Sequence, residues 1–274
     1  MENIKVSVII ATYNREDLVA RAINSVLKQS FRDYEIIVVD DGSTDGTKEK
    51  MGKILSEKVR YLRQDNAGPG AARDFGISNA KGEYIAILDS DDYWIDNNKL
   101  QKQVGFLNDN PDYVLAGGNM TVVSDLDEKI AENRKILLKD GEIREMILIE
   151  NPFAHSTIVY RKSAFTKVGG YGKNEHGFSE DWNLWLKFGK IGKFCNFKDS
   201  FTCFRTGKGY SFFWKKRSVW LDLKLRIAYR KDYPHFIKGF SSGLMYYILL
   251  FIPFRNKLKL LYLNSRHKIK KINK

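Results

Sequence analysis

Three acidic residues, Asp89, Asp91 and Asp92, follow directly on the apolar run Tyr84-Ile-Ala-Ile-Leu88. Carboxylates this close repel one another, and none of them favours a strand. A hard divalent cation relieves the repulsion, and an all-oxygen donor set suits magnesium or manganese better than zinc. A metal held through one or two carboxylates completes its shell with water and substrate phosphates, so the chemistry in view is work on a phosphate ester. The bland counterpart is a solvated acidic turn. A second pair, Asp40-Asp41, closes the run Tyr34 to Val39 and leads into Gly42-Ser43. Its carboxylates could accept hydrogen bonds from a nucleobase imide or a ribose hydroxyl, or form no more than an Asx-type turn. A third pair, Glu180-Asp181, opens an apolar helical pattern, a place where the helix dipole alone favours acids.

Repeated strand–helix units must position these groups. Val6 to Ala11 and Tyr34 to Val39 are β-branched runs typical of buried strands. Val59 to Gln64 and Tyr84 to Leu88 read as two more strands, and Thr47 to Leu55, Pro69 to Asn79 and Asn97 to Asn108 as helices. Asn14 can cap the first helix, in which Leu18, Ala22 and Val26 share a face. Such βα repeats predict an α/β fold with a Rossmann-like, mostly parallel central sheet flanked by helices. Ligands of open α/β sheets bind beyond the carboxyl ends of the strands, where both Asp40-Asp41 and Asp89 to Asp92 fall. Thr12, Tyr13 and Asn14 end the first strand beside them, and Tyr13 could stack on a base. Beyond Pro111 the pattern loosens: Tyr113 to Val123 and Ser156 to Tyr160 read as strands around a polar insertion at Ser124 to Asp140, and Asp181 to Phe188 as a helix.

Asn66-Ala-Gly-Pro-Gly-Ala-Ala-Arg73 contains G-x-G before a helix but is no dinucleotide fingerprint. That motif follows the first strand, and Arg73 stands at its third glycine position. An arginine one turn inside a helix can meet phosphate or a base edge, or be an ordinary surface residue.

Six segments in order resemble glycosyltransferase family 2, the inverting nucleotide-sugar enzymes of GT-A fold. They are Val6-Ser-Val-Ile-Ile-Ala-Thr-Tyr-Asn14, Ser25-Val-Leu-Lys-Gln-Ser-Phe31, Val38-Val-Asp-Asp-Gly-Ser43, Asn66 through Gly76, Leu88-Asp-Ser-Asp-Asp92 and Ser179-Glu-Asp-Trp-Asn-Leu-Trp185. The resemblance implies that Asp41 holds the base, with Asp40 supporting the turn and Thr12, Tyr13, Asn14, Asn66, Gly68 and Arg73 completing the donor site. It implies an Asp-x-Asp pair, Asp89 and Asp91, with Asp92 beside it, on the ribose and on a manganese or magnesium ion bridging the diphosphate. Asp181 would be the general base that takes the acceptor proton, with Glu180 orienting acceptor or base. His155, just before an expected strand, and Trp182 would stand on the acceptor side, although His155 reads equally as a satisfied structural histidine. Phe204 to Ser211 resembles the family's late loop, but Arg205 and Lys208 replace a histidine common there, and either would have to meet the diphosphate. A UDP-sugar is the donor this resemblance favours.

The formal net charge of +13 is uneven. Residues 205–274 hold 18 Lys and Arg against Asp222 and Asp232, while residues 1–204 are slightly acidic. The expected division is therefore a GT-A domain over 1–204 and a basic, partly apolar helical extension over 205–274. In the extension Val219, Leu223 and Ile227 align at helical spacing, and Leu244 to Phe254 is apolar but short of a membrane span. This predicts a chain lying on an anionic membrane surface, or a helical cap with a solvated cationic face. A peripheral enzyme suits a lipid-linked or growing glycan acceptor. Cys195 and Cys203 form no CxxC pair and the N-terminus lacks a basic segment, which fits a cytoplasmic setting at the inner face of the membrane. A nucleotidyltransferase would need a Gly-rich, Lys-bearing phosphate loop near the first strand, and none is present. A binding protein on a catalytically silent domain remains the other reading, although nucleic acid is not the partner expected, because the apolar run favours lipid.

Overall fold

The computed structural model describes residues 4–124, 127–131, 136–172, 179–205 and 212–251, with the backbone alone at 212–215. Among these the chain divides into two compact units, residues 4–147 with 151–205, and residues 148–150 with 212–251. Arg205 thus belongs to the first unit, and a short central segment joins the second.

The first unit is built on one sheet. Strands β1 (Val6–Thr12), β2 (Tyr34–Asp40), β3 (Val59–Arg63) and β4 (Tyr84–Ile87) pair in parallel in the order β3-β2-β1-β4. Helices α1 (Val19–Leu27), α2 (Thr47–Gly52) and α3 (Pro69–Ser78) make the crossovers. All residues of β2 and β4 are buried, which is why both strands read as unbroken apolar runs. The helix α3 lies so close to the sheet that a Cβ on Gly76 would come within 2.8 Å of Ile9 and 2.9 Å of Val39. Both contacts are with side-chain methyls of the sheet, so any larger residue at this position would have to displace them.

Past β4 the sheet becomes mixed. A two-residue β5 (Tyr93–Trp94), helix α4 (Lys99–Asp109), β6 (Tyr113–Val123) and β7 (Lys129–Ala131) come first. Then follow α5 (Asp140–Met146), a 3₁₀ turn at His155–Thr157, β8 (Val159–Arg161), α6 (Lys162–Val168), α7 (Glu180–Phe188) and β9 (Lys193–Arg205). Strand β8 joins β4 to β6 antiparallel, whereas β6 and β9 run parallel over most of their length.

Four expectations change. The stretch expected to be a strand from Ser156 begins as the 3₁₀ turn, so Ser156 faces the end of β4. The polar insertion contains the start of α5, held by Glu142 Oε2 accepting from the backbone N–H of Leu138 and Lys139. Strand β9 was not anticipated at all. Asn14 does not cap α1, which starts at Val19; it has φ 52°, and its Oδ1 accepts from Thr44 N–H at 2.8 Å.

The second unit contains α8 (Phe212–Ala228) and α9 (Phe236–Leu249). Val219 and Leu223 are buried as expected, but Ile227 is exposed and Arg226 is buried in its place. The guanidinium of Arg226 donates to the carbonyls of Leu148 and Ile149 at 2.9 and 3.2 Å, so the inward face turns to position i+7 to satisfy a buried backbone segment. Among the described residues no helix is long and apolar enough to cross a membrane.

Candidate active site

The carboxyl ends of β2 and β4 carry the acidic residues, and that of β1 carries Thr12, Tyr13 and Asn14. Asp40 is fully buried at the end of β2. Its Oδ1 accepts from Ser43 N–H at 2.8 Å, and its Oδ2 accepts from Tyr61 OH and Arg63 Nη1 at 2.5 and 2.8 Å. It therefore closes the turn, in which Gly42 has φ 81° and no room for a Cβ, since one would lie 2.9 Å from Asn66 N. Asp41 reaches across to the loop before α3. Its carboxylate accepts from Gln64 Nε2, Ala67 N–H and Gly68 N–H at 2.7–2.9 Å, and Asn66 Nδ2 donates to its carbonyl at 3.0 Å. Asp41, Asn66 and Gly68 thus form one rigid wall. Tyr13 stands 45 % exposed at the end of β1, and the buried Thr12 hydroxyl has no partner among the described residues.

The three carboxylates after β4 diverge. Asp89 pairs with Arg73 Nη2 at 2.7 Å. Asp91 has Arg15 at 3.6 Å, and its side chain is 36 % exposed. Asp92 is buried, accepting from Ser156 Oγ at 2.5 Å and from the backbone N–H of Arg205 at 3.0 Å. Ser156 Oγ also accepts from Asp89 N–H at 3.1 Å, so a single hydroxyl ties both ends of the acidic turn. Burial, with the charge of Asp89 added, pushes the Asp92 carboxyl up to about 8 and raises that of Asp91. Burial, the largest influence on Asp89, pushes it the same way, but Arg73 together with His155 and Ser156 holds that carboxyl below its ordinary value.

Arg73 is the centre of the arrangement. It is 6 % exposed, and its Nη1 donates to Glu180 at 2.8 Å while Nη2 holds Asp89. The guanidinium expected on a phosphate or base edge is instead spent on two carboxylates, one at the end of β4 and one at the start of α7. Next to Glu180, Asp181 accepts from Asn151 Nδ2 at 2.8 Å and from Trp182 N–H at 2.7 Å. Burial, and the neighbouring charge of Glu180, push the Asp181 carboxyl up to about 7. That value suits a group exchanging protons near neutrality.

Other expected residues stand elsewhere. Trp182 is buried and its indole N–H donates to Ile147 O at 2.8 Å, so it lies behind the site rather than on an acceptor surface. Trp182→Phe leaves that carbonyl without its donor and is expected to lose about 1–3 kcal/mol of stability in urea unfolding, with unchanged dependence of turnover on acceptor concentration. His155 Nε2 lies 2.8 Å from Tyr171 OH, and burial together with the charge of Arg73 pushes its pKa down to about 3, so it is neutral. The Arg205 guanidinium bonds Asp127 at 2.6 Å, which removes it as a ready phosphate contact; Lys208 lies outside the described residues. Sequence reasoning passed over Arg15, Asn151 and Ser156, each a polar residue in a loop beside a motif.

Among the described residues no three His, Cys, Asp or Glu converge as a metal cage would require. The donor set does fit a divalent ion held through one open carboxylate, Asp91, with Asp89 near, provided that phosphate and water complete the shell. Asp92, with both oxygens engaged in the interior, does not join it.

Residues 7–169 match the family described as Glycosyl transferase family 2. The chain is 43 % identical over 68 % of its length to an uncharacterised glycosyltransferase of Rickettsia conorii. It is 35 % identical over 69 % to the putative glycosyltransferase EpsE of Bacillus subtilis, of which it covers 68 %. It is 28 % identical over 89 % to the amylovoran biosynthesis glycosyltransferase AmsE of Erwinia amylovora, of which it covers 91 %. The chain spans only 18 % and 31 % of the length of two Rickettsia relatives. In fold it is similar to Staphylococcus aureus TarS in complex with UDP-GlcNAc (TM-score 0.64, 20 % identity, 90 % of this chain and 72 % of that one). It is likewise similar to the mannosyltransferase PcManGT of Pyrobaculum calidifontis in complex with GDP-Man and Mn²⁺ (TM-score 0.65, 17 % identity, 89 % and 69 %).

Proposed function

The chain belongs to glycosyltransferase family 2 with a GT-A type fold, and from that premise we propose that it moves a sugar, with inversion, from a nucleotide-diphosphate sugar to an acceptor hydroxyl. The observation that carries this reading is the Asp89–Arg73–Glu180 bridge, which joins the acidic turn after β4 to the acid pair opening α7. Donor chemistry and acceptor deprotonation then share one site. Tyr13 stacks on the base against the wall made by Asp41, Asn66 and Gly68. UDP is the nucleotide favoured, and a lipid-linked or growing glycan is the acceptor proposed, with a relative named for amylovoran biosynthesis in keeping with glycan assembly.

Manganese or magnesium held by Asp91, with Asp89 near, would neutralise charge on the departing diphosphate. Arg15, 44 % exposed beside Asp91, supplies a further cation on the same side. Asp181 takes the proton of the attacking hydroxyl, and Asn151 holds its carboxylate in place. Glu180, fixed by Arg73, places the start of α7.

Asp181 must be ionised to accept a proton. The rate at low substrate is therefore expected to rise about tenfold per pH unit below about 7 and to level off above it, as a pH–rate profile of kcat/KM would read. The reading as a whole is tested with a panel of nucleotide sugars in manganese, magnesium or EDTA. Metal-dependent release of one nucleotide names the donor. Absence of both turnover and metal-dependent nucleotide binding across the panel would sink the reading.

A further inference from the structure

The second unit presents an apolar stripe that nothing in the transfer chemistry uses. On α9, Ile237, Leu244 and Ile248 recur at the spacing of one helix face, with Phe251 in the turn just past its end; all are 40–80 % exposed, as is Met245 beside them. Residues 244–251 carry no charge. Trp220 of α8, 50 % exposed, packs near Tyr247 of α9 with ring centroids 6.1 Å apart and extends the apolar surface. Cations frame it: Lys216 Nζ lies 4.5 Å from the Phe251 ring centroid and Lys224 Nζ 5.8 Å from that of Trp220. The sequence that follows, residues 252–274, holds eight Lys and Arg and no acid; these residues lie outside those described.

We propose that this face is a docking surface for an anionic lipid bilayer, with α9 lying in the interface plane. Its 14 residues span about 21 Å, short of the ~30 Å hydrocarbon core, so it enters the headgroup boundary without crossing. The lysines beside Trp220 and Phe251 meet lipid phosphates while the aromatic rings and aliphatic side chains sink below them. A second copy is the poorer occupant, because two strongly cationic faces repel. Nucleic acid is poorer still: Ile237, Leu244, Met245 and Ile248 offer no ring for a base to stack on.

The test reads binding rather than turnover, so its failure is distinct from failure of the transferase reading. The full chain is sedimented with phosphatidylcholine vesicles with and without phosphatidylglycerol, across salt concentrations. Strong preference for the anionic vesicles, weakened by salt, is expected. Ile248→Glu with Phe251→Glu is expected to lower partitioning at least about tenfold, while circular-dichroism melting and nucleotide binding stay as in wild type. Ile237→Glu, at the most exposed position, is a second variant that leaves the core untouched and is expected to act in the same direction. Equal binding to both vesicles, or unchanged binding of these variants, would overturn the proposal. So would tighter binding to single-stranded oligonucleotides than to vesicles, or a dimer that the substitutions abolish.

Discussion

Asp181→Asn is expected to lower kcat by about 10²–10⁴-fold while nucleotide-sugar binding stays close to wild type. The amide is nearly isosteric, and its single oxygen can keep the bond from Trp182 N–H, while Asn151, which donates to the other carboxylate oxygen, must turn its own amide to present an acceptor. What the substituted amide cannot do is take a proton. The pH profile sharpens the test: loss of the base removes the limb that rises toward about 7, leaving a low, flat rate. Stability should move the other way. Burial raises the Asp181 carboxyl above its unfolded value, so the folded state favours its neutral form, and that preference is lost as pH rises from the ordinary carboxyl range through about 7. A neutral amide escapes that loss, and the variant should unfold at slightly higher urea than wild type at pH 8. Calorimetric titration with the nucleotide product separates the two effects, because a base used only in the chemical step leaves that affinity unchanged. A loss of binding comparable to the loss of turnover would show that Asp181 positions donor instead.

The βα half of the molecule was legible because its strands are buried on both faces, so Val6 to Ala11 and Tyr34 to Val39 carry a continuous apolar signal. The second half was not, for a physical reason visible in β9. Its register against β6 shifts near Gly118 and Asn119, opposite the polar stretch Lys198-Asp199-Ser200, and those shifts erase the alternation by which a strand is read. The acidic motifs could be found from residue type and order alone, since each lies where a strand ends or a helix begins. Their pairings could not. Nothing in Ala-Ala-Arg73 tells that the helix will aim its guanidinium at Glu180, and nothing in His155-Ser156 tells that the serine will bind both Asp92 and the backbone of Asp89. Apolar spacing in the second unit misled for a related reason: Ile227 fits the stripe by type, but Arg226 is drawn inside by two carbonyls that only the folded segment 148–150 presents.

Arg73→Met is expected to destabilise the protein by about 3–5 kcal/mol near neutral pH, the range seen when one partner of a buried charge cluster is removed. The guanidinium is 6 % exposed and answers two carboxylates at once, with Glu180 nearly as buried as itself. Methionine fills much of the volume, so the loss reports charge rather than a cavity. The pH dependence identifies the cause. In wild type Asp89 is held below its ordinary value, so its contribution is present above the unfolded carboxyl range and fades as pH falls through the folded value. Without Arg73, burial alone acts on Asp89, its carboxyl rises, and mild acid neutralises it. The gap between variant and wild type in urea unfolding should therefore narrow as pH is lowered. Arg73→Lys should fall between the two, because one ammonium cannot hold both carboxylates in the forked geometry. A plain phosphate contact would behave otherwise: its removal would weaken donor binding and leave the stability of the ligand-free protein unchanged. If Arg73→Met unfolds like wild type at every pH, the bridge does not hold the two acidic motifs together, and the single site proposed here loses its frame.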